Sequence, residues 1–133
     1  MTIRLIRFCS VLALSCTLGA GLCHADCATL YALAQQHAND MARRNSLDHA
    51  GFMQHRGPAG AAAENVAVDC ADEACARRAW MQSPHHRANM TLGGCQAVAS
   101  AVSKTGRRYW AMEIGGGGVG TGRDFSIDGE NAP

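Results

Sequence analysis

With 133 residues and 12 basic against 11 acidic side chains, the chain carries a formal charge of +1, which gives no basic face for nucleic acid. Its length suits one domain with a modest core, since two would each be too small to bury one. No apolar stretch makes a comfortable membrane span, which needs roughly 20 such residues.

The first segment reads as a leader. Met1 to Arg7 holds Arg4 and Arg7 and no acid; Phe8 to Leu22 is apolar apart from small or weakly polar residues. Cys23-His24-Ala25 then precedes Asp26, the first acid of the chain. That order predicts a secretory signal over residues 1–25, cut after Ala25, and a secreted or periplasmic product. An uncleaved anchor and a lipoprotein cut before Cys16 are the alternatives, although Ala13-Leu14-Ser15 fits the second poorly. Loss of the leader removes two basic residues, leaving ten against eleven acids, a net charge of −1. It also removes Cys9, Cys16 and Cys23, so seven cysteines become four: Cys27, Cys70, Cys75 and Cys95. Four thiols in an oxidising compartment predict two disulfides, with three pairings open. Cys70 and Cys75 close a short loop, which favours that pair together with Cys27–Cys95. Without a Cys-x-x-Cys spacing, neither a thiolate zinc site nor a haem attachment is indicated.

Cys27 to Ser46 is predicted as a helix: Leu30, Leu33, Ala34, Ala38 and Met41 recur at three- and four-residue spacing. Asp26 or Thr29 is placed to cap it, and Arg43-Arg44 suit its negative end. Asp48 to Gly60 is polar and glycine-rich, a loop carrying His49 and His55. Ala61 to Val68 is apolar except for Glu64-Asn65. Asp72 to Gln82 is a second helix, with acids in its first turn. Ser83-Pro84 starts a third that stops at Gly93-Gly94, serine as cap and proline at the first helical position. Gln96–Ser103 and Tyr109–Ile114, around Thr105-Gly106, read as an antiparallel hairpin. From Gly115 the chain is a Gly-rich, disordered tail. Helix, loop, two helices and hairpin make the class α+β.

Several features stand in order: His49 after the first helix, Glu64-Asn65-Val66, Trp80, Ser83-Pro84, His86-Arg87, Asn89-Met90 and Tyr109-Trp110. From Leu30 to Gly116 this set resembles the CAP superfamily, the SCP-like or cysteine-rich secretory protein domain, in its bacterial branch. Three departures mark the chain. Ala63 stands where the family usually has Gly, His85 replaces the Gly before the matching histidine, and Ser83 falls where many eukaryotic members carry a second cleft glutamate. The family's tetrad of two His and two Glu is thereby reduced to His49, Glu64 and His86.

The resemblance implies a minimal three-layer α-β-α sandwich over residues 26–116, with residues 117–133 as tail, and a cleft where His49, His86 and Glu64 converge. Two imidazoles and a carboxylate form a three-ligand set for Zn2+ or another divalent cation, with an open position for water. His55 could lend a further nitrogen. A structural reading of the same trio has Glu64 accepting a hydrogen bond from an imidazole. The implied function is a non-catalytic extracytoplasmic binding or structural module, monomeric, with a small ligand, a lipid or a protein as partner. No nucleic acid is expected as partner, and no membrane span after cleavage. The alternative is a metal-assisted, peptidase-like hydrolase with His49 and His86 as ligands and Glu64 as ligand or base. No Gly-x-Ser-x-Gly is present, so Ser83 is read as a helix cap and not a nucleophile. Trp80 and Trp110 are expected in the core, Asn65 on backbone in a turn, and Arg87 at the surface.

Overall fold

The computed structural model describes residues 25–115; the leader expected over residues 1–25, but for its last residue, and the tail expected over residues 117–133 lie outside the described residues. In chain order the elements are α1 (Cys27–Arg44), a single π-helical turn (Phe52–Arg56), β1 (Ala61–Val68), α2 (Glu73–Gln82), α3 (Pro84–Met90), β2 (Cys95–Val102) and β3 (Arg108–Gly115). The strands form one antiparallel sheet in the order β1-β3-β2.

Local chemistry sets most boundaries. The Asp26 carboxylate accepts from the Thr29 N–H at 2.7 Å and starts α1. Asn45 ends the helix in the left-handed region (φ 53°), two residues short of the expected Ser46. Asp72 caps α2 in the same way, accepting from the Cys75 N–H at 2.7 Å. Ser83 occupies the N-cap position of α3 ahead of Pro84, but its side chain makes no capping bond; nothing in the structure explains why the hydroxyl is not used. The segment expected to be all loop holds the π-helical turn. Gly51 enters it at φ 80°, and Gly57 N–H donates to the Phe52 carbonyl at 2.8 Å, a five-residue reach.

Alternation along β3 divides the core. Tyr109 and Ala111 face α1, packing with Ala34, Ala38, Met41, Val66 and Ala99. Trp110, Met112 and Ile114 face the opposite way, onto Ala63, Ala67, Ala76 and Trp80. With α1 on one face of the sheet and α2 and α3 on the other, the architecture is the expected α+β sandwich of three layers. Both indoles are buried, as expected: Trp80 Nε1–H donates to the Val66 carbonyl and Trp110 Nε1–H to the Cys70 carbonyl, each at 2.9 Å. Cys27–Cys95 ties the first turn of α1 to the start of β2, and Cys70–Cys75 closes the connection from β1 to α2. Among the described residues no helix is long and apolar enough to cross a membrane.

Candidate functional site

The pairing of β1 with β3 sets Glu64 directly opposite Glu113. Directly opposed side chains on one face stand close, and two carboxylates there repel. Both groups are buried, with side chains 2% and 0% exposed. The cation between them comes from the π-helical turn. Arg56 Nε–H donates to Glu64 Oε2, and Arg56 Nη2–H donates to Glu64 Oε1 at 3.0 Å. Nη1–H reaches the Ala50 carbonyl at 2.9 Å and Nη2–H the His49 carbonyl at 3.3 Å, so the fork also fastens the preceding loop. Arg56 Nε lies 3.0 Å from Glu113 Oε1, and the guanidinium rests over the Phe52 ring.

Two imidazoles complete this network. His49 Nδ1 lies 2.7 Å from Glu64 Oε1; with the carboxylate as acceptor, Nδ1 carries the proton and Nε2 is left bare or free to donate according to charge. His37, from the buried stripe of α1, places Nε2 2.8 Å from the Asp48 carbonyl and 3.5 Å from Glu64 Oε1. A carbonyl can only accept, so Nε2 holds the proton. His37 Nδ1 is then a buried atom without a partner.

Protonation follows from the packing. Burial raises the Glu113 pKa, and the Glu64 carboxylate opposite raises it further; Arg56 offsets part of this, and the carboxyl stays protonated. A proton there lets Glu113 donate to Glu64 instead of leaving two buried anionic oxygens unpartnered. For Glu64, burial acts upward, but hydrogen bonds from His49, Glu113 and Arg56 outweigh it and hold the group below the ordinary carboxylate range. Burial is also the main cause that lowers His37 and keeps it neutral.

His86 stands apart from this hydrogen-bonded set. It is half-buried on α3, and its pKa is lowered by burial first, then by repulsion from His49 and His85. The neighbouring His85 is exposed, which resolves which of the two imidazoles turns inward. Asn65 holds α3 against β1: its Nδ2 donates to the His86 carbonyl at 3.0 Å, while its Oδ1 accepts from Asn89 Nδ2 at 2.9 Å. Asn65 thus bonds backbone as expected, but from within a strand and not from a turn. His55 is exposed on the π-helical turn. Arg87 is exposed and donates to the Met81 carbonyl at 3.0 Å.

The structure therefore brings His49 and Glu64 into contact and sets His86 near His49. Among the described residues no three His, Cys, Asp or Glu side chains form a group that could hold a metal ion. An open groove of about 750 Å³ runs between α1 and the π-helical turn and reaches the network itself, since His37 and Arg56 line it together with Gln36, Asp40, Arg43 and His55.

Sequence reasoning did not single out His37, Arg56 or Glu113. His37 had a signal, because it interrupts the apolar stripe of α1 three residues after Ala34 and four before Met41. Glu113 had one too, as an acid inside a strand buried along its length. Arg56 had none.

A family model described as CAP, the cysteine-rich secretory protein family, matches residues 27–114. No curated protein and no solved structure matches the chain.

Proposed function

The chain belongs to the cysteine-rich secretory protein (CAP) family, and from that premise we propose that it is an exported, non-catalytic module of the bacterial type, in which the His/Glu cluster holds the cleft together. The observation that carries this reading is the occupancy of Glu64. One oxygen accepts from His49 and Arg56, the other from Arg56, and the carboxylate is buried. A general base needs an accessible lone pair within reach of the proton that it takes, and a pKa near the working pH. Glu64 has neither. The groove beside α1 is the surface on which a small ligand could rest, and the paired disulfides suit an oxidising compartment.

One observation favours the metal-assisted hydrolase as a second reading. Where an imidazole ligates a metal, its other ring nitrogen commonly donates to a carboxylate, and His49 Nδ1 does this to Glu64. His49 Nε2 and His86 would then be the nitrogens offered to Zn2+, with Glu64 orienting and not ligating.

The exported protein, screened against peptide and ester substrates with and without Zn2+, is expected to show no turnover above that of Glu64→Gln. Turnover that Glu64→Gln loses while keeping its near-UV circular dichroism would instead establish the hydrolase. N-terminal sequencing of the exported chain is expected to begin at Asp26.

A further inference from the structure

The donor set of the cleft does not fit a resident divalent metal, because its one ionised carboxylate, Glu64, already holds a cation. We propose that Arg56 is the built-in cation of this domain, filling the charge-balancing place between Glu64 and Glu113 and making the cleft metal-independent. The inference rests on the non-catalytic reading above and goes beyond it, since it assigns the counter-charge to a residue of the chain itself.

Three observations carry it. The guanidinium is buried, 7% exposed, and sits between two carboxyl groups that β1 and β3 place opposite each other. Its N–H groups are committed: Nε and Nη2 to Glu64, Nη1 and Nη2 to the Ala50 and His49 carbonyls. Rigid, forked donation of this kind suits a carboxylate better than a point charge would. Finally, the Glu64 lone pairs that a metal would need are spent on Arg56 and His49.

A metal's charge can be removed by a chelator or by protonating its ligands; a guanidinium keeps its charge at any pH at which the protein is folded. A divalent ion entering beside Glu64 would meet a fixed positive charge in a poorly solvated site, where repulsion is barely screened. Replacing Arg56 by an uncharged side chain of similar length reverses the situation. Glu64 then lies opposite Glu113 without a counter-cation and beside His49 and His37; these oxygens and nitrogens form no ligand group as they stand, and Zn2+ would draw them into one.

The test uses the exported protein with its disulfides intact. Wild type should keep the same melting temperature in excess Zn2+ and in a chelator, and retain no zinc through dialysis by elemental analysis. Arg56→Met should bind Zn2+ at least about tenfold more tightly than wild type and melt higher with it, as a ligand of the native state requires. Adding Glu64→Gln should remove that gain. If Arg56→Met folds only in the presence of Zn2+, that rescue also supports the proposal. Arg56→Lys, which keeps the charge, should remain indifferent to zinc.

Zinc retained by the wild type and lost in His49→Ala would overturn the proposal. So would a folded Arg56→Met with unchanged zinc affinity. If Arg56→Met fails to fold under either condition, Arg56→Gln takes its place with the same two outcomes, and the wild-type dialysis decides independently. Turnover on substrate without any metal would defeat the non-catalytic reading and leave the role of Arg56 standing; zinc binding without turnover would do the reverse.

Discussion

The two buried carboxyl groups should behave as a coupled pair in which one replaces the other. In Glu64→Gln the only native anion touching Arg56 is lost. A buried cation left wholly without a partner costs about 3–5 kcal/mol. Glu113 prevents that outcome, because its oxygen already lies 3.0 Å from Arg56 Nε and its proton is held largely by burial and by the Glu64 charge. Once that charge is gone, Glu113 ionises and takes over Arg56. The single substitution should then cost about 1.5–3 kcal/mol, the value of the charged hydrogen bonds that Gln cannot replace. Glu113→Gln exchanges one neutral group for another of the same shape and removes the cost of protonating Glu113 on folding, so at pH 7 it should be neutral or stabilising. The double variant has no anion left for Arg56 and should approach about 3–5 kcal/mol. The loss therefore exceeds the sum of the singles, with a coupling energy of about 1–2 kcal/mol. Urea unfolding followed by the fluorescence of the buried Trp80 and Trp110 measures all three; in thermal melts each kcal/mol corresponds to about 4–8 °C for a domain of this size. Losses that add to within about 0.5 kcal/mol would refute the idea that Glu113 stands in for Glu64.

The same proton has a pH signature. The folded form keeps Glu113 protonated above the pH at which the unfolded chain releases it, so native protein binds more protons than unfolded protein. Wild-type stability should fall as pH rises through that window, by up to about 1.4 kcal/mol per unit, and the Glu113→Gln variant should lack that component. A parallel pH dependence of the two proteins would contradict the assignment. Opening Cys27–Cys95, which joins residues 68 apart, should cost more than opening Cys70–Cys75, which joins residues 5 apart, because the longer loop regains more freedom on unfolding. Urea midpoints of Cys27→Ala/Cys95→Ala and Cys70→Ala/Cys75→Ala give the comparison. Asn65→Ala should cost about 1–3 kcal/mol by leaving the His86 carbonyl without its partner and the Asn89 amide with only its longer bond to the Glu64 carbonyl. The His86 ring resonances should shift with it as α3 loosens, and unchanged resonances would mean that Asn65 does not position α3.

The sequence by itself determined the elements whose causes are local. The stripe of α1 and its Asp26 cap follow from neighbours three and four residues apart, as do Pro84 at the start of α3 and the alternation of Trp110, Met112 and Ile114 in the hairpin. The disulfide pairing was legible in part, because Cys70 and Cys75 close so short a loop. His49, Glu64 and His86 were legible only as members of a motif, which names residues without saying what they touch. Tertiary structure decided the rest. Glu113 gains its meaning from a strand register that sets it across from Glu64, about fifty residues away in the chain. Arg56 lies in a stretch without periodicity, and only the π-helical turn aims it into the sheet. The charge state of the cleft depends on burial and on this pairing together, and neither is written in any local pattern of residues. The motif thus marks where the polar centre lies, while the fold supplies its cation.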